Sequence, residues 1–125
     1  MRRVIVTNKT RLSASVVNAI YCDSFLCQLR GLMFRRSLDL QEGLLLVQKG
    51  DSKIEAAIHM LFMWINLAVV WIDTAGQVVD VRLARRWRPI YIPRSPARYI
   101  LEMHTDRIGD FEIGDRIEIS RIQAG

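Results

Sequence analysis

Cysteine is scarce in this sequence, with Cys22 and Cys27 alone; proline is limited to Pro89, Pro93 and Pro96, and lysine to Lys9, Lys49 and Lys53 against fifteen arginines. Two cysteines with four residues between them, no second pair and only two histidines in the chain match no zinc-ligand spacing. The expectation is a pair of free thiols acting as small buried hydrophobes in a reducing compartment. Long apolar runs are missing too. The most hydrophobic stretch, Met60 to Ile72, is broken by Asn66 and falls short of the roughly 20 residues that a spanning helix needs. The basic start Met1-Arg2-Arg3 leads into only Val4-Ile5-Val6, short of the roughly 7 to 15 apolar residues of a signal peptide, so a cytoplasmic protein without a membrane partner is expected. No Gly-rich phosphate loop, nucleophile motif or metal-ligand cluster occurs, and no cofactor is expected. Repeats, low-complexity tracts and Pro/Gly/Ser-rich linkers are absent as well, which leaves residues 1–125 as a single domain.

What is present is the composition of a folding domain. Half of the residues are hydrophobic and a quarter charged. A chain of 125 residues buries roughly two thirds of its unfolded surface, enough for a core without metal or disulfide support. The formal charge is +5, and its distribution is uneven. Arg82, Arg85, Arg86, Arg88, Arg94 and Arg98 lie in one stretch without Asp or Glu, which makes a positive patch if they share a face.

Hydrophobic period and turn residues predict mostly strands. Arg3 to Thr7 is short and β-branched, Asn8-Lys9-Thr10 is a turn, and Leu12 to Ala19 alternates enough for a second strand. Asp23 or Ser24 can cap a helix that carries Cys22, Phe25, Leu26 and Leu29 on one face and stops at Gly31. Leu44 to Val47 reads as a buried strand, and Ile58 to Phe62 and Leu67 to Ile72 as two more. Asp73-Thr74-Ala75-Gly76 before Gln77 to Leu83 is the clearest hairpin signal, and Tyr99 to Met103 and Arg116 to Ile122 supply the last strands. Many short strands and one short helix before Gly31 predict a mainly β fold with a minor helical part, a small β sandwich or distorted barrel.

The chain stops being anonymous at Gly31-Leu32-Met33-Phe34-Arg35. Together with Glu42-Gly43-Leu44-Leu45-Leu46-Val47, Ile58 to Met63, Val69 to Asp73 with Gly76, Arg86-Trp87-Arg88-Pro89, Pro96 to Glu102 and Gly114-Asp115, this resembles the domain of unknown function 192 family over nearly the whole length. The resemblance implies a compact, mainly β fold with one helix ahead of the Gly31 motif, and it implies no reaction, ligand or catalytic set. One departure stands out: relatives usually have Pro-Ile-Asp or Pro-Leu-Asp where this chain has Asn66-Leu67-Ala68.

Candidate binding residues are Arg35, His59, Arg86, Trp87, Arg88, Tyr91 and Glu102. Arg86-Trp87-Arg88-Pro89-Ile90-Tyr91 interleaves cations with aromatic rings where Pro89 and Pro93 break ladder pairing, a combination suited to a sugar phosphate, nucleotide or carboxylate. Arg35, beside a fixed turn, can anchor an anion; Leu32 and Phe34 are expected in the core. The leading expectation is a non-catalytic β domain that binds a small anionic ligand or an acidic partner surface at this loop. An enzyme using His59 with Glu102 or another acid is the first alternative, since general acid–base work needs such a pair, and His104 is the other polar group nearby. A structural or assembly module is the second. A single basic segment in a chain otherwise near charge balance argues against nucleic acid.

Overall fold

The computed structural model describes residues 2–121. Its strands are β1 (Arg3–Asn8), β2 (Val17–Cys22), β3 (Glu42–Ser52), β4 (Leu67–Ile72), β5 (Val78–Ala84), β6 (Ala97–Met103) and β7 (Ile117–Arg121). A helix α1 (Phe25–Arg30) crosses from β2 to β3, and a 3-10 helix (Thr105–Asp110) precedes β7. The strands form one seven-stranded sheet in the order β5-β4-β6-β3-β2-β1-β7, in which β2 and β3 are parallel and the other pairs antiparallel.

The mainly β expectation is correct, with the sheet left open rather than closed as a barrel. Its two outer strands meet at one end only. There Gln77 bridges Arg116, and the Ile117 amide donates to the Gly76 carbonyl at 2.7 Å. Both faces of the sheet are covered. Val4, Val6, Leu45, Val70, Ile72, Leu101, Met103 and Phe111 fill one apolar layer. Leu44, Leu46, Val69, Trp71 and Ile100 fill the other, beneath Leu32, Ile58, Met60, Met63 and Tyr91 from the loops. Strand residues alternate between faces, so a strand buried on both sides must be apolar throughout, as β4 is at all six positions.

The second layer is where sequence expectation and structure part. Ile58 to Phe62 makes no strand; Ile58 pairs with Tyr91 in a single bridge, after which a turn donates the Met63 amide to the Met60 carbonyl at 3.3 Å. A short apolar run looks the same whether it enters a ladder or lids one. The second strand begins at Val17 rather than Leu12, and Ile122, the expected end of the last strand, lies outside the described residues.

Helix α1 begins as expected, with the Ser24 hydroxyl accepting from the Cys27 amide at 3.2 Å, and it ends at Gly31, whose φ of 49° and ψ of −129° suit glycine alone. Its facing differs from the expected one. Phe25 and Leu26 are 77% and 75% exposed, whereas Cys27 packs on the core and Gln28 donates to the Val47 carbonyl at 2.9 Å. Six residues are too few for periodicity to fix which side turns inward.

The expectation of free thiols is corrected as well, because Cys22 and Cys27 are joined in a disulfide. The Ser24-capped turn brings their Cα atoms to 5.7 Å, within the reach of such a bond.

Candidate functional site

Three loop segments, 31–36, 59–66 and 85–92, lie against one another over the second apolar layer. Backbone hydrogen bonds join them: the Phe34 amide donates to the Phe62 carbonyl, the Trp87 amide to the Met60 carbonyl at 2.7 Å, and the Met60 amide to the Arg88 carbonyl. In sequence they hold five arginines and no carboxylate.

Apart from Tyr91, their aromatic residues do not sink into the core. Phe34 is 61% exposed, against the expectation that it would be buried with Leu32, because the turn after Gly31 sends the two side chains in different directions. Phe34 packs on Phe62 with ring centroids 5.9 Å apart, Phe62 on Trp87 at 5.3 Å, and Trp87 on Trp64 at 6.2 Å. Among the described residues, positive φ outside glycine occurs at Phe34 (67°), Phe62 (60°) and Trp87 (69°), all three within this chain of rings. A bulky residue in the left-handed region costs about 1 to 3 kcal/mol. The fold therefore holds these rings at the surface against local preference.

Arginines border the rings without converging on one point. Arg36 lies over the Trp64 ring, 5.8 Å from its centroid. With Arg86, Trp64, Asn66 and His104 it lines an open hollow of about 410 Å³ floored by Leu38 and Ile65. The Arg86 amide donates to the Asn66 side-chain oxygen Oδ1 at 2.9 Å, so Asn66 pins the arginine loop. The neighbouring Ala68 is fully buried.

Arg88 and Tyr91 line a different hollow, together with Arg82, Ile90 and Ile92. Tyr91 is buried and its hydroxyl accepts from the Arg85 amide at 2.9 Å, so most of this aromatic residue serves packing, with Arg88 lying over its ring. Arg35 is committed elsewhere, paired with Glu42 at 2.9 Å and donating to the Ser37 carbonyl.

His59 and Glu102, far apart in sequence, line one small cavity behind Gly31. Glu102 follows Ile100 by two positions on β6 and so looks into the loop-covered layer, opposite Leu44 and Val69. It is 5% exposed, and its carboxyl accepts no hydrogen bond and makes no ion pair among the described residues. Burial alone pushes it up from 4.5 to about 7. His59 accepts from the Leu61 amide at Nδ1, which leaves Nε2 to carry the proton and donate to the Leu29 carbonyl at 3.3 Å. Both ring nitrogens are thus used by the backbone. Among the described residues no three His, Cys, Asp or Glu side chains are grouped to hold a metal ion, and no helix is long and apolar enough to cross a membrane.

Sequence reasoning missed the ring Phe34-Phe62-Trp64, because apolar residues in short runs are read as core. Arg36 was also missed, its neighbour Arg35 carrying the motif.

Comparison with known proteins agrees with this architecture. The family model DUF192, described as an uncharacterized ACR, matches residues 4–119. A UPF0127 protein of Pyrococcus furiosus is 32% identical over 117 residues, covering 92% of this chain and 97% of its own length. One from Thermococcus kodakarensis is 33% identical over 115 residues, covering 90% of this chain and 71% of that one. One from Thermococcus gammatolerans is 39% identical over 97 residues, or 76% of this chain, and the match spans 61% of that longer protein. Two crystal structures share the fold at low identity. A candidate transcription regulator from Sinorhizobium meliloti superposes with a TM-score of 0.79 at 21% identity, covering 94% of this chain and 92% of that one. A protein of unknown function from Novosphingobium aromaticivorans gives 0.78 at 22%, covering 93% and 83%. From its first strand to its last, the chain belongs to the DUF192 family of UPF0127 proteins.

Proposed function

We propose that this protein is a non-catalytic binding module that takes an anionic group, on a small ligand or an acidic partner, in the hollow between Arg36 and Arg86, with the exposed aromatic rings as its apolar platform. The observation that carries the reading is the strained presentation of Phe34, Phe62 and Trp87 beside arginines that no carboxylate of these loops neutralises. Backbone outliers of this kind concentrate at surfaces that contact something else. Guanidinium forks supply paired donors for carboxylate or phosphate, and the Trp64 ring next to Arg36 gives a face for stacking.

Thermal melting tests it, with wild type, Arg86→Ala and Arg36→Ala compared against nucleotides, sugar phosphates, dicarboxylates and an acidic peptide at low and moderate salt. Ligands that stabilise the wild type should lose their effect in both variants, while the unliganded melting points stay close, since one exposed charge contributes within about 0.5 kcal/mol. Equal responses of all three proteins would reject the site. Arg88→Ala, in the other hollow, should keep the response.

The enzyme reading has one observation in its favour, the shared cavity of His59 and Glu102. It ranks second because both nitrogens of His59 are engaged by backbone groups and the cavity is small, about 70 Å³.

A further inference from the structure

A buried carboxyl group is normally found with a cation, a metal or several donors, since a lone charge in an apolar setting is expensive. Glu102 has none of these, and its side chain ends in a cavity rather than in packed atoms. Around the cavity, Leu32, Met33, Leu46 and Met63 give apolar walls. The Gln48 side chain gives an N–H to the Gln28 oxygen, and the Gln28 nitrogen is given to the Cys22 and Val47 carbonyls, so the Gln48 side-chain oxygen Oε1 is left without a donor among the described residues. The other ionisable groups lining the space are Arg30 of α1, which is exposed and makes no ion pair among the described residues, Glu55 at the rim, and His59, with both nitrogens engaged.

We infer that this cavity is a binding site for a small primary alkylammonium group, with Glu102 as its counter-ion and the Leu32, Met33 and Met63 side chains around its alkyl part. An ammonium carries three donors and no acceptor, which answers the free oxygens of Glu102 and the Gln48 side chain. At about 70 Å³ the space would hold roughly two waters at their liquid volume of about 30 Å³ each, or one cation of the size of ethylammonium. An anion is excluded by the carboxylate itself, which separates this site from the arginine hollow on the same face of the sheet.

The test is a titration of isotopically labelled protein with ethylammonium chloride, followed through the backbone amide resonances of Gly31 and Glu102, with sodium chloride and ethanol as charge and shape controls. Ethylammonium alone should move these resonances. Its apparent affinity should rise about tenfold from pH 6 to pH 8, as the Glu102 carboxyl loses its proton. Glu102→Gln, which keeps the shape of the protonated side chain, should abolish the response, while Glu55→Gln should retain both the response and its pH dependence. No shift in wild type, an equal shift with ethanol, an unchanged response in Glu102→Gln, or loss of the pH dependence in Glu55→Gln would each overturn the assignment. Should Glu102→Gln fail to fold, the pH profile of the wild type decides alone, a flat profile being the negative result.

Discussion

At the scale of single residues, two buried carboxyl groups pull stability in opposite directions with pH. Glu102 is pushed up by burial, so the folded state holds its proton more tightly than the unfolded chain does, and stability falls as pH rises from 4.5 to about 7. Converting that interval at 1.36 kcal/mol per pH unit gives a penalty of about 3 kcal/mol above neutrality. Glu102→Gln is therefore expected to be more stable than wild type by up to about 3 kcal/mol at pH 8 and nearly equal to it at pH 4, measured by urea unfolding at both values. A wild type that is the more stable at pH 8 would contradict a lone buried carboxylate. Asp115 is the reverse case. Burial would raise it, but hydrogen bonds from the Asn8 amide at 2.8 Å, the Glu112 backbone and Arg11 at 2.9 Å outweigh that and hold it below the usual 3.8. Its stabilisation is present above 3.8 and lost as acid carries the pH below that value. Asp115→Asn should cost about 1 to 3 kcal/mol at pH 7 and flatten the acid limb of the unfolding curve below pH 3.8. Glu102 could be picked out from the sequence as an acid on an apolar strand, whereas Asp115 looked like an ordinary turn residue because its side-chain partners, Asn8 and Arg11, lie about a hundred positions away.

At the scale of elements, β4, β5 and β6 were legible because a strand covered on both faces is a continuous apolar run and an edge strand alternates, and the sequence shows both patterns directly. The loops over the second layer were not, Leu32 apart, since Met60 and Met63 are buried by tertiary closure and follow no period. Helix α1 was legible in its ends and not in its facing. Its disulfide closes a short loop, worth about 2 kcal/mol on chain-entropy grounds. Thiol titration of the denatured, unreduced protein should therefore find no free thiol, and two would contradict the bond. Gly31→Ala should lower stability by about 1 kcal/mol or more through backbone strain alone, because the nearest atoms to an added Cβ are 3.8 Å away and leave room for it. An unchanged urea midpoint would show that the turn can relax.

At the scale of the whole molecule, one buried arginine ties together parts that no local signal connects. Arg107 on the 3-10 helix binds Asp110 at 2.6 Å, the Leu40 carbonyl at 2.7 Å and the Ser15 carbonyl, clasping the β1–β2 and α1–β3 connections to the approach of β7. Arg107→Met keeps much of the volume but leaves those oxygens without donors, and should destabilise by about 3 kcal/mol in urea unfolding. A loss under 1 kcal/mol would mean that water replaces the guanidinium. The placement of β1 between β2 and β7 has a consequence for the order of assembly. Asn8 of β1 bonds to Asp115, 107 residues on, so the strand made early waits for the strand made late. While the chain is being synthesised, β1 has one paired edge at most, and its other edge, with Val4, Ile5 and Val6, is open to any strand it meets. The β4–β5 hairpin closes over a few residues and is free to form first, whereas the β1–β7 ladder carries the full entropy of closing a long loop. The interval between making residue 8 and making residue 121 is thus the one in which this edge has no partner of its own chain.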